Sequence, residues 1–191
     1  ANAEVEFKKY VNLKDAVILD YTGKEKKSED GVSAFDVDIK KEFRDKTLAE
    51  KDKNYPLFVA KDKAKNTRYI IPVVGKGLWG PIWGYICLKE DMTTILGVSF
   101  DHKSETPGLG AEISKDFFSD QFIEKTIVDE TGNYTPVKVV KPGTGVTQPY
   151  VDGISGGTFT SVGVDEMMNR TLSVYHKFFQ NESGKELLTK I

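Results

Sequence analysis

The sequence predicts an α+β fold in which a mixed, mostly antiparallel sheet is flanked by helices. Two observations predict this class. Runs of β-branched and aromatic residues follow one another in the middle of the chain, separated by clusters of glycine, proline and charge. Near the C-terminus the apolar residues recur at helical spacing instead. The length of 191 residues fits a single domain, which we predict to span residues 1–191.

The strand predictions rest on residue type and spacing. Four runs lie close enough together to pair as antiparallel neighbours, namely Leu57–Ala60, Arg68–Val74, Ile82–Leu88 and Thr94–Phe100. Alternation of apolar and polar residues predicts a further strand over residues 33–41. Short strands are also predicted at Thr126–Val128 and Val137–Val140, and a turn over residues 141–145 follows the second of these.

Long helices are predicted near both ends of the chain. Residues 4–22 carry apolar residues at roughly helical spacing, and Gly23 marks the end of that pattern. Residues 162–180 form the second predicted helix, which Ser161 would cap. This helix has one apolar face. The face consists of Val164, Met168, Leu172, Tyr175 and Phe179.

Two shorter helical segments are expected between these ends. The polar region 40–53 is predicted to be partly helical, because it lacks the β-branched runs of its neighbours. Ser114 is predicted to cap a short helix, since serine is a preferred N-cap residue. That helix would contain Phe117, Phe118 and Phe122.

Composition and charge exclude several classes of function. Acidic and basic residues are mixed, and the formal net charge is −2, so no basic footprint for nucleic acid or for a membrane surface is evident. The single cysteine, Cys87, lies in an apolar run, which predicts a buried core thiol and excludes an internal disulfide framework. With two histidines, no histidine-based metal site is expected. No stretch approaches the roughly 20 apolar residues that span a bilayer, and no signal peptide is recognisable.

The segment from Asp152 to Ser161 has the features of a phosphate seat. Four hydroxyl side chains and three glycines fall within ten residues, directly before the C-terminal helix. Glycines let the backbone approach a ligand, hydroxyls can bond to it, and a helix N-terminus attracts an anion. The alternative is a glycine-rich turn whose hydroxyls cap the helix. The spacing matches neither a Walker loop nor a dinucleotide fingerprint.

A second loop, Glu105–Gly110, reads Glu-Thr-Pro-Gly-Leu-Gly. Its proline fixes φ, and its glycines permit a tight excursion that would hold Leu109 outward. A planar ring could then lie against Leu109 while Thr106 bonds to the edge of the ring. The alternative is a plain strand-to-helix connection with Leu109 in the core. His102 and Glu105 are three residues apart, but no third ligand is near them, so a metal site is not expected.

A third loop, Gly75–Gly84, contains four glycines, which is more than a simple hairpin needs. One interpretation is an irregular hairpin with one or both tryptophans in the core. The other is a cleft with Trp79 as its floor, where the glycines would let a flat ligand come close to the backbone.

Together, and in this order, the three loops resemble the FMN-binding domain family. That family carries an attachment motif of the form Asp-x-x-(Ser/Thr)-Gly-Ala-Thr, and residues 152–158 of this chain read Asp-Gly-Ile-Ser-Gly-Gly-Thr. The motif Glu-Thr-Pro-Gly-Leu-Gly matches in full at 105–110. The stretch Gly-Leu-Trp-Gly at 77–80 resembles the branch of sodium-translocating NADH:quinone oxidoreductases more than the Rnf branch. Gly157 departs from the pattern, because the family usually has alanine there.

The resemblance implies a cofactor and its contacts. FMN would be joined through its phosphate to the hydroxyl oxygen of Thr158. The phosphate contacts would come from the same motif: Ser155, Gly156, Gly157, Phe159 and Thr160. The ring contacts would come from the other two loops: Leu78, Trp79, Thr106, Leu109 and Gly110. Lys141, or else Lys138, would supply a positive charge near the polar end of the flavin.

The resemblance also implies a function and partners. The chain would be a covalent-FMN electron-carrier subunit of a membrane-bound, sodium-translocating NADH:quinone oxidoreductase, without independent catalysis by this domain. Its partners would be the other membrane subunits and a flavin transferase that attaches the flavin from FAD. We expect the domain on the extracytoplasmic side of a bacterial inner membrane, anchored by a helix that precedes residue 1 in the natural protein. The alternatives are the G subunit of the Rnf electron-transport complex, a stand-alone FMN-binding domain, and an interaction domain without flavin.

Overall fold

Five antiparallel strands form the main sheet of the protein. The computed structural model describes residues 16–26, 33–181 and 185–186. The strands are β1 Val17–Leu19, β2 Tyr55–Lys61, β3 Thr67–Lys76, β4 Pro81–Leu88 and β5 Ile95–His102. They are hydrogen-bonded in the order β1-β2-β3-β4-β5, and each is antiparallel to the next. The predicted antiparallel meander is therefore confirmed over β2–β5.

The edge strand β1 corrects a helix prediction. As far as residue 15, the helix predicted over residues 4–22 lies outside the described residues. From Val17 onward the prediction is wrong, because Val17 pairs with Leu57 and Leu19 pairs with Tyr55. Three consecutive large apolar residues suit a short strand at the edge of a core, since β-branched side chains pack well on a pleated surface.

Helical turns replace the strand predicted over residues 33–41. A 3-10 turn, Ala34–Asp36, is followed by helix α1, Ile39–Arg44. The Ser33 hydroxyl accepts from the backbone amide two residues on, and the Asp38 carboxylate accepts from the amide three residues on. These local caps stabilise helical turns, and they override the alternating apolar pattern.

Short helical segments occur in two further places. The region 40–53 is partly helical, as predicted, because α1 covers its start and a 3-10 turn covers Glu50–Asp52. After β5, a 3-10 turn at Gly110–Ser114 leads into helix α2, Asp116–Ser119, and a 3-10 turn at Asp120–Phe122.

The helix predicted to follow Ser114 forms, but Ser114 does not cap it. The Ser114 hydroxyl donates to the carbonyl of Ala111 at 3.0 Å, and Lys115 occupies the N-cap position without a side-chain hydrogen bond. The rings of Phe118 and Phe122 pack edge to face, with centroids 5.5 Å apart. The aromatic residues therefore hold this segment in place, and a polar cap does not.

A second, parallel pair of strands makes the fold mixed, as predicted. Strand β6, Lys138–Val140, pairs with strand β7, Tyr150–Asp152. The prediction of a strand near residues 137–140 and a turn after it is confirmed, whereas β7 was not predicted. The strand predicted at Thr126–Val128 is wrong, because this segment forms only isolated bridges to two other segments.

Helix α3, Thr158–Gln180, packs across the main sheet. All residues of its predicted apolar face are buried: Val164, Met168, Leu172, Tyr175 and Phe179. The Tyr175 hydroxyl donates to the carbonyl of Pro56 in β2 at 2.7 Å. Near the start of the helix, a Cβ added to Gly163 would overlap the carbonyl oxygen of Lys76 at the end of β3. This close approach places the first turns of α3 beside the loop between β3 and β4.

With 23 residues, α3 has the length of a membrane span. Its exposed side carries charged residues, among them Glu166 and Lys177, so the helix is amphipathic. Of the residues described, none forms a helix that is both long and apolar enough to cross a membrane.

Candidate functional site

Helix α3 begins inside the segment that the sequence predicts to be a phosphate seat. Its first residue is Thr158, which lies ahead of the predicted start at residue 162, and its N-cap is Gly157, which has no side chain to cap it. The predicted cap, Ser161, is buried within the first turn, where its hydroxyl oxygen accepts from the backbone amide of Ile154 at 2.9 Å. The first amides of a helix have no partner within the helix. No side chain of the described residues caps them here, so they are available to a ligand at the start of the helix.

The loop before α3 is closed by the backbone and presents its hydroxyls outward. The amide of Gly157 donates to the carbonyl of Ile154 at 2.9 Å. Gly156 has a φ of +74°, a left-handed conformation that favours glycine. Ser155, Gly156 and Thr158 are all exposed. The loop therefore offers two hydroxyl groups to solvent, directly ahead of the helix amides.

Thr158 borders a cavity of about 240 Å³ between this loop and the turn that follows β6. The loop side of the cavity includes Ser155 and Gly156, and the strand side includes Lys141 and Pro142. The cavity thus combines hydroxyl groups, a lysine and the first turn of a helix, and each of these attracts an oxyanion.

The two lysines that the sequence left as alternatives have different surroundings. The Nζ atom of Lys138 lies 3.2 Å from a carboxylate oxygen of Asp165, so its charge is already compensated. Lys141 lines the cavity beside Thr158, and among the described residues it has no ion-pair partner. The surroundings therefore favour Lys141 as the positive charge of the site.

The Glu105–Gly110 loop holds Leu109 outward. The carbonyl of Thr106 accepts from the amides of Leu109 and Ala111, both at 3.1 Å, which closes the loop into a tight turn. Leu109 is 41% exposed, so the alternative that buries it in the core does not hold. A Cβ added to Gly156 would lie 2.6 Å from the Cδ2 atom of Leu109, so Leu109 rests against the loop that precedes Thr158.

The structure reduces the predicted Gly75–Gly84 loop to a hairpin at residues 77–80 between β3 and β4, and this hairpin exposes two large apolar side chains. Trp79 is 66% exposed, and Leu78 is also exposed. The other tryptophan, Trp83, lies in β4, where the Nζ atom of Lys40 is 3.5 Å from the centroid of its ring. The interpretation with Trp79 in the core is therefore excluded.

Five exposed apolar side chains lie at the ends of the three loops and on the first turns of α3. We call them the apolar rim: Leu78, Trp79, Leu109, Phe159 and Val162. Phe159, next to Thr158, is 70% exposed. Leu78, Phe159 and Val162 line a groove of about 540 Å³, and Val162 also lines the cavity at Thr158. Exposed apolar residues that share a groove mark a surface that binds something, whereas singly scattered ones do not.

One buried carboxylate joins the three loops. Glu105 is 5% exposed. One of its oxygens accepts from the backbone amide of Trp79 at 2.8 Å, and the other accepts from the hydroxyl of Thr160 at 2.6 Å. Thr160 is 1% exposed, and its hydroxyl is engaged by Glu105. The structure therefore does not support the predicted contact between Thr160 and a phosphate, because this hydroxyl faces inward.

Sequence reasoning missed the part that Glu105 takes in the site. It considered the carboxylate only as a possible metal ligand together with His102. The two partners of the Glu105 side chain lie 26 and 55 residues away in the chain, so no local pattern reports them. The only available signal was the position of Glu105 at the start of the Glu-Thr-Pro-Gly-Leu-Gly motif. Ser161, which fastens the loop to the helix, and Val162 were also not assigned to the site.

The fold and this site define a class of protein. An anion seat at a helix N-terminus lies next to an exposed apolar rim. FMN carries a phosphate at one end and a flat, three-ring system at the other, and the two halves of the site match these two ends. The arrangement suits a domain that binds, at its surface, a ligand with an anionic group at one end and a flat apolar body at the other, such as FMN.

Comparison with known proteins leads to the same class. The model of the FMN-binding domain matches residues 77–173, slightly more than half of the chain. The chain belongs to the FMN-binding domain family.

The chain is also similar to particular proteins within this family. It is 34% identical over 153 residues to the C subunit of the Na(+)-translocating NADH-quinone reductase of Vibrio campbellii, a match that covers 72% of this chain and 58% of that protein. It is 38% identical over 141 residues to the protein of the same name in Chlamydia pneumoniae, covering 66% of this chain and 44% of that protein. The chain thus spans about half the length of these relatives.

Solved structures agree with the fold over nearly the whole chain. The C subunit of the Na(+)-translocating NADH-quinone reductase of Parabacteroides distasonis superposes with a TM-score of 0.80 at 43% identity, covering 94% of this chain and 83% of that one. The NqrC protein of Shewanella oneidensis superposes with a TM-score of 0.68 at 25% identity, covering 98% of this chain and 88% of that one. The α+β fold class is therefore confirmed.

Proposed function

We propose that this domain carries FMN on Thr158 through a phosphoester bond and serves as an electron carrier within a sodium-translocating NADH:quinone oxidoreductase. The observation that carries the proposal is the placement of Thr158. It is the first residue of α3, it is exposed, and it lies at the junction of the anion seat and the apolar rim. The names of the relatives support the assignment to this complex over the Rnf complex.

The phosphate end of the cofactor would be held by charge and by hydrogen bonds. The uncapped amides at the start of α3 donate to phosphate oxygens, and a negative charge in the first turn of a helix is favourable by about 0.3–1 kcal/mol. The hydroxyl of Ser155 donates from the loop. Lys141 adds a charge-assisted contact across the cavity.

The ring end would lie on the apolar rim. Leu109 and Trp79 present exposed apolar faces. Thr106, in the loop that carries Leu109, is also exposed, and its hydroxyl can reach the polar edge of a ring. Phe159 and Leu78 extend the surface along the 540 Å³ groove. When bound, FMN supplies reversible electron transfer, and the protein supplies position and electrostatic surroundings. A shallow, open site suits a carrier, since donor and acceptor must both approach it.

Attachment would need a separate enzyme. No described side chain hydrogen-bonds the hydroxyl of Thr158, so no general base prepares it for attack, and an unassisted threonine hydroxyl is a weak nucleophile. We propose a flavin transferase that uses FAD. The hydroxyl of Thr158 loses its proton, its oxygen forms a bond to the phosphorus that bears the riboflavin, and AMP leaves as the phosphoanhydride breaks.

The remaining assignments concern the setting of the domain. We propose that residues 1–191 form one extracytoplasmic domain on a bacterial inner membrane, held there by a helix upstream of residue 1 and by the other subunits of the complex. The similarity to C subunits of the Na(+)-translocating NADH-quinone reductase supports the association with other subunits. We propose no independent catalysis by the isolated domain.

The test is intact-mass spectrometry of the domain after co-expression with a flavin transferase. The expected result is a mass increase equal to FMN less one water, which is absent from Thr158→Ala. Thr144→Ala is the matched control, because Thr144 is exposed in the turn after β6 and is not among the residues that line the cavity. An unmodified wild-type protein, or an equal adduct on Thr158→Ala, contradicts the proposal.

A further inference from the structure

We infer that Glu105 is a positioning residue, which ties the backbone of Trp79 to Thr160 in the first turn of α3, so that the exposed Trp79 side chain projects from a fixed point next to that turn. The inference concerns the site of the proposed function, and its meaning for a flavin rests on that proposal. The clamp itself can be tested without flavin.

The carboxylate of Glu105 reaches two elements at once. Its oxygens lie 2.8 Å from the backbone nitrogen of Trp79, in the loop between β3 and β4, and 2.6 Å from the hydroxyl oxygen of Thr160, in the first turn of α3. A buried carboxylate without hydrogen bonds is costly, so both donors are needed for the group to be tolerated at 5% exposure. The same requirement makes the carboxylate an effective tie between the loop and the helix.

The glycines of the two motifs make room for this carboxylate. A Cβ added to Gly77 would lie 2.6 Å from one Glu105 oxygen, and a Cβ added to Gly110 would overlap the Thr160 hydroxyl and lie 2.6 Å from the other Glu105 oxygen. Neither glycine has a positive φ, so backbone conformation does not explain them. The position of Glu105 therefore explains why glycine stands at the start of Gly-Leu-Trp-Gly and at the end of Glu-Thr-Pro-Gly-Leu-Gly.

Trp79 is held from both sides of its backbone by consecutive residues of the neighbouring loop. Its amide donates to Glu105, and its carbonyl accepts from the hydroxyl of Ser104 at 3.2 Å. The amide of Glu105 in turn donates to Nδ1 of His102 at 3.1 Å, which fixes Glu105 to the end of β5. The backbone of Trp79 is therefore held in a defined place, while the residue as a whole is 66% exposed.

This arrangement separates binding from positioning. Glu105 itself is buried and is not among the residues that line the cavity at Thr158, and its contact within the phosphate seat is with the buried hydroxyl of Thr160. It acts through Trp79 on one side and through Thr160 on the other. Residues that do not touch a ligand can still determine the geometry of a binding site, because they hold the residues that do touch it in position.

The first experiment measures hydrogen exchange of the Trp79 amide by NMR in the flavin-free domain. Glu105→Asp keeps the charge but shortens the side chain, so it cannot span both donors. We expect its Trp79 amide to exchange about tenfold faster, as the loss of one hydrogen bond implies. Glu105→Gln keeps the length and one carbonyl acceptor, so its exchange should stay within about threefold of wild type. Glu130→Gln, an exposed change of the same chemistry, is the control and should leave exchange unaltered.

Thr160→Val is a second variant for the case in which Glu105→Asp does not fold. It removes one partner of the carboxylate and leaves the bond to Trp79, so a smaller acceleration, about threefold, is expected at the Trp79 amide. Unchanged Trp79 exchange in the folded variants would overturn the clamp.

The second experiment measures flavin loading and the visible absorption spectrum of the same variants after treatment with transferase and FAD. We expect slower loading and a shifted flavin band in Glu105→Asp, and recovery of both in Glu105→Gln. Faster Trp79 exchange with unchanged loading and spectrum would overturn the positioning role. Faster exchange in a protein whose wild type never takes flavin supports the clamp and counts against the proposed function, so the two failures can be told apart.

Discussion

Apolar side chains are exposed in the first turns of α3 and buried along the rest of that helix. From Val164 onward the apolar side chains face the sheet and are buried, whereas Phe159 and Val162 point into solvent. Burying a large apolar side chain stabilises a protein by about 1.5–3 kcal/mol. The start of α3 forgoes that stabilisation, which is consistent with the proposal that this part of the helix serves a ligand.

Two threonines repeat the contrast within a single turn. Thr160 is buried, and its hydroxyl ties the helix to Glu105. Thr158 is exposed at the edge of a cavity, and none of the described side chains engages its hydroxyl. Of two threonines that are two positions apart, Thr160 thus makes a structural contact, whereas Thr158 faces an open site.

Leu172→Ala tests the buried part of the helix and should have the largest effect on stability. Leu172 is buried against the sheet, and such truncations cost about 2–5 kcal/mol. We expect this loss in urea unfolding. Flavin attachment per folded molecule should be unchanged.

Val162→Ala is the matched control in the first turns, and its unfolding free energy should lie within about 0.5 kcal/mol of wild type. Equal losses of stability in the two variants would contradict the division of α3 into a buried part and an exposed part.

Gly163→Ala tests the point where the two parts of the helix meet. The new Cβ would overlap the carbonyl oxygen of Lys76, so the helix must move away from β3. We expect a loss of about 1–3 kcal/mol in thermal or urea unfolding, as for other overpacked sites. Gly97→Ala is the control, because no atom lies within 4 Å of its added Cβ, and it should unfold like the wild type or slightly later. If Gly163→Ala retains full stability, the close approach of α3 to β3 is wrong.

Gly157→Ala restores the residue that is usual in the motif and should have a moderate cost in this chain. Its φ of −106° suits alanine, but the added Cβ would lie 2.9 Å from Cβ and 3.0 Å from Cγ2 of Ile154. We expect a loss of about 1 kcal/mol in urea unfolding. Combining it with Ile154→Leu, which removes the Cγ2 contact, should recover part of the loss. If Gly157→Ala alone is more stable than the wild type, the expected clash between the added Cβ and Ile154 is wrong.

Phe159→Ala should have the smallest effect on stability and a clear effect on the site. Phe159 is 70% exposed, so its removal should change the unfolding free energy by no more than about 0.5 kcal/mol. In the flavin-loaded protein, quenching of flavin fluorescence by iodide should increase, because part of the apolar rim is lost. Unchanged quenching would exclude Phe159 from the flavin surface.

Local sequence patterns predicted the parts of the fold in which local and tertiary forces agree. The strands β2–β5 carry β-branched and aromatic residues that suit a sheet, and Val164 to Phe179 repeat at helical spacing against it. The strand prediction for residues 33–41 was wrong, because side-chain caps at Ser33 and Asp38 determine the conformation of this region. Periodicity placed the start of α3 too late, since the apolar residues of its first turns do not face the core.

The sequence predicted the three loops of the candidate site, but it did not predict how they are joined. Pro107 and the glycines beside it predicted the outward position of Leu109, and the structure shows that Leu109 and Trp79 are both exposed. The tie through Glu105 depends on contacts across 26 and 55 residues of chain, and Lys141 is preferred to Lys138 only because Asp165 engages the latter. These contacts are formed by the tertiary structure, and the spacing of residues along the sequence does not reveal them.

Peptide mapping of the co-expressed protein tests the central claim most directly. Trypsin should release residues 139–170 as one peptide, because Pro142 protects the bond after Lys141. Fragmentation by tandem mass spectrometry then locates the modified residue among the several hydroxyl side chains of this peptide. The account predicts FMN phosphate on Thr158 alone. Flavin on Ser155 or Thr160, or an unmodified peptide in the presence of transferase and FAD, would contradict it.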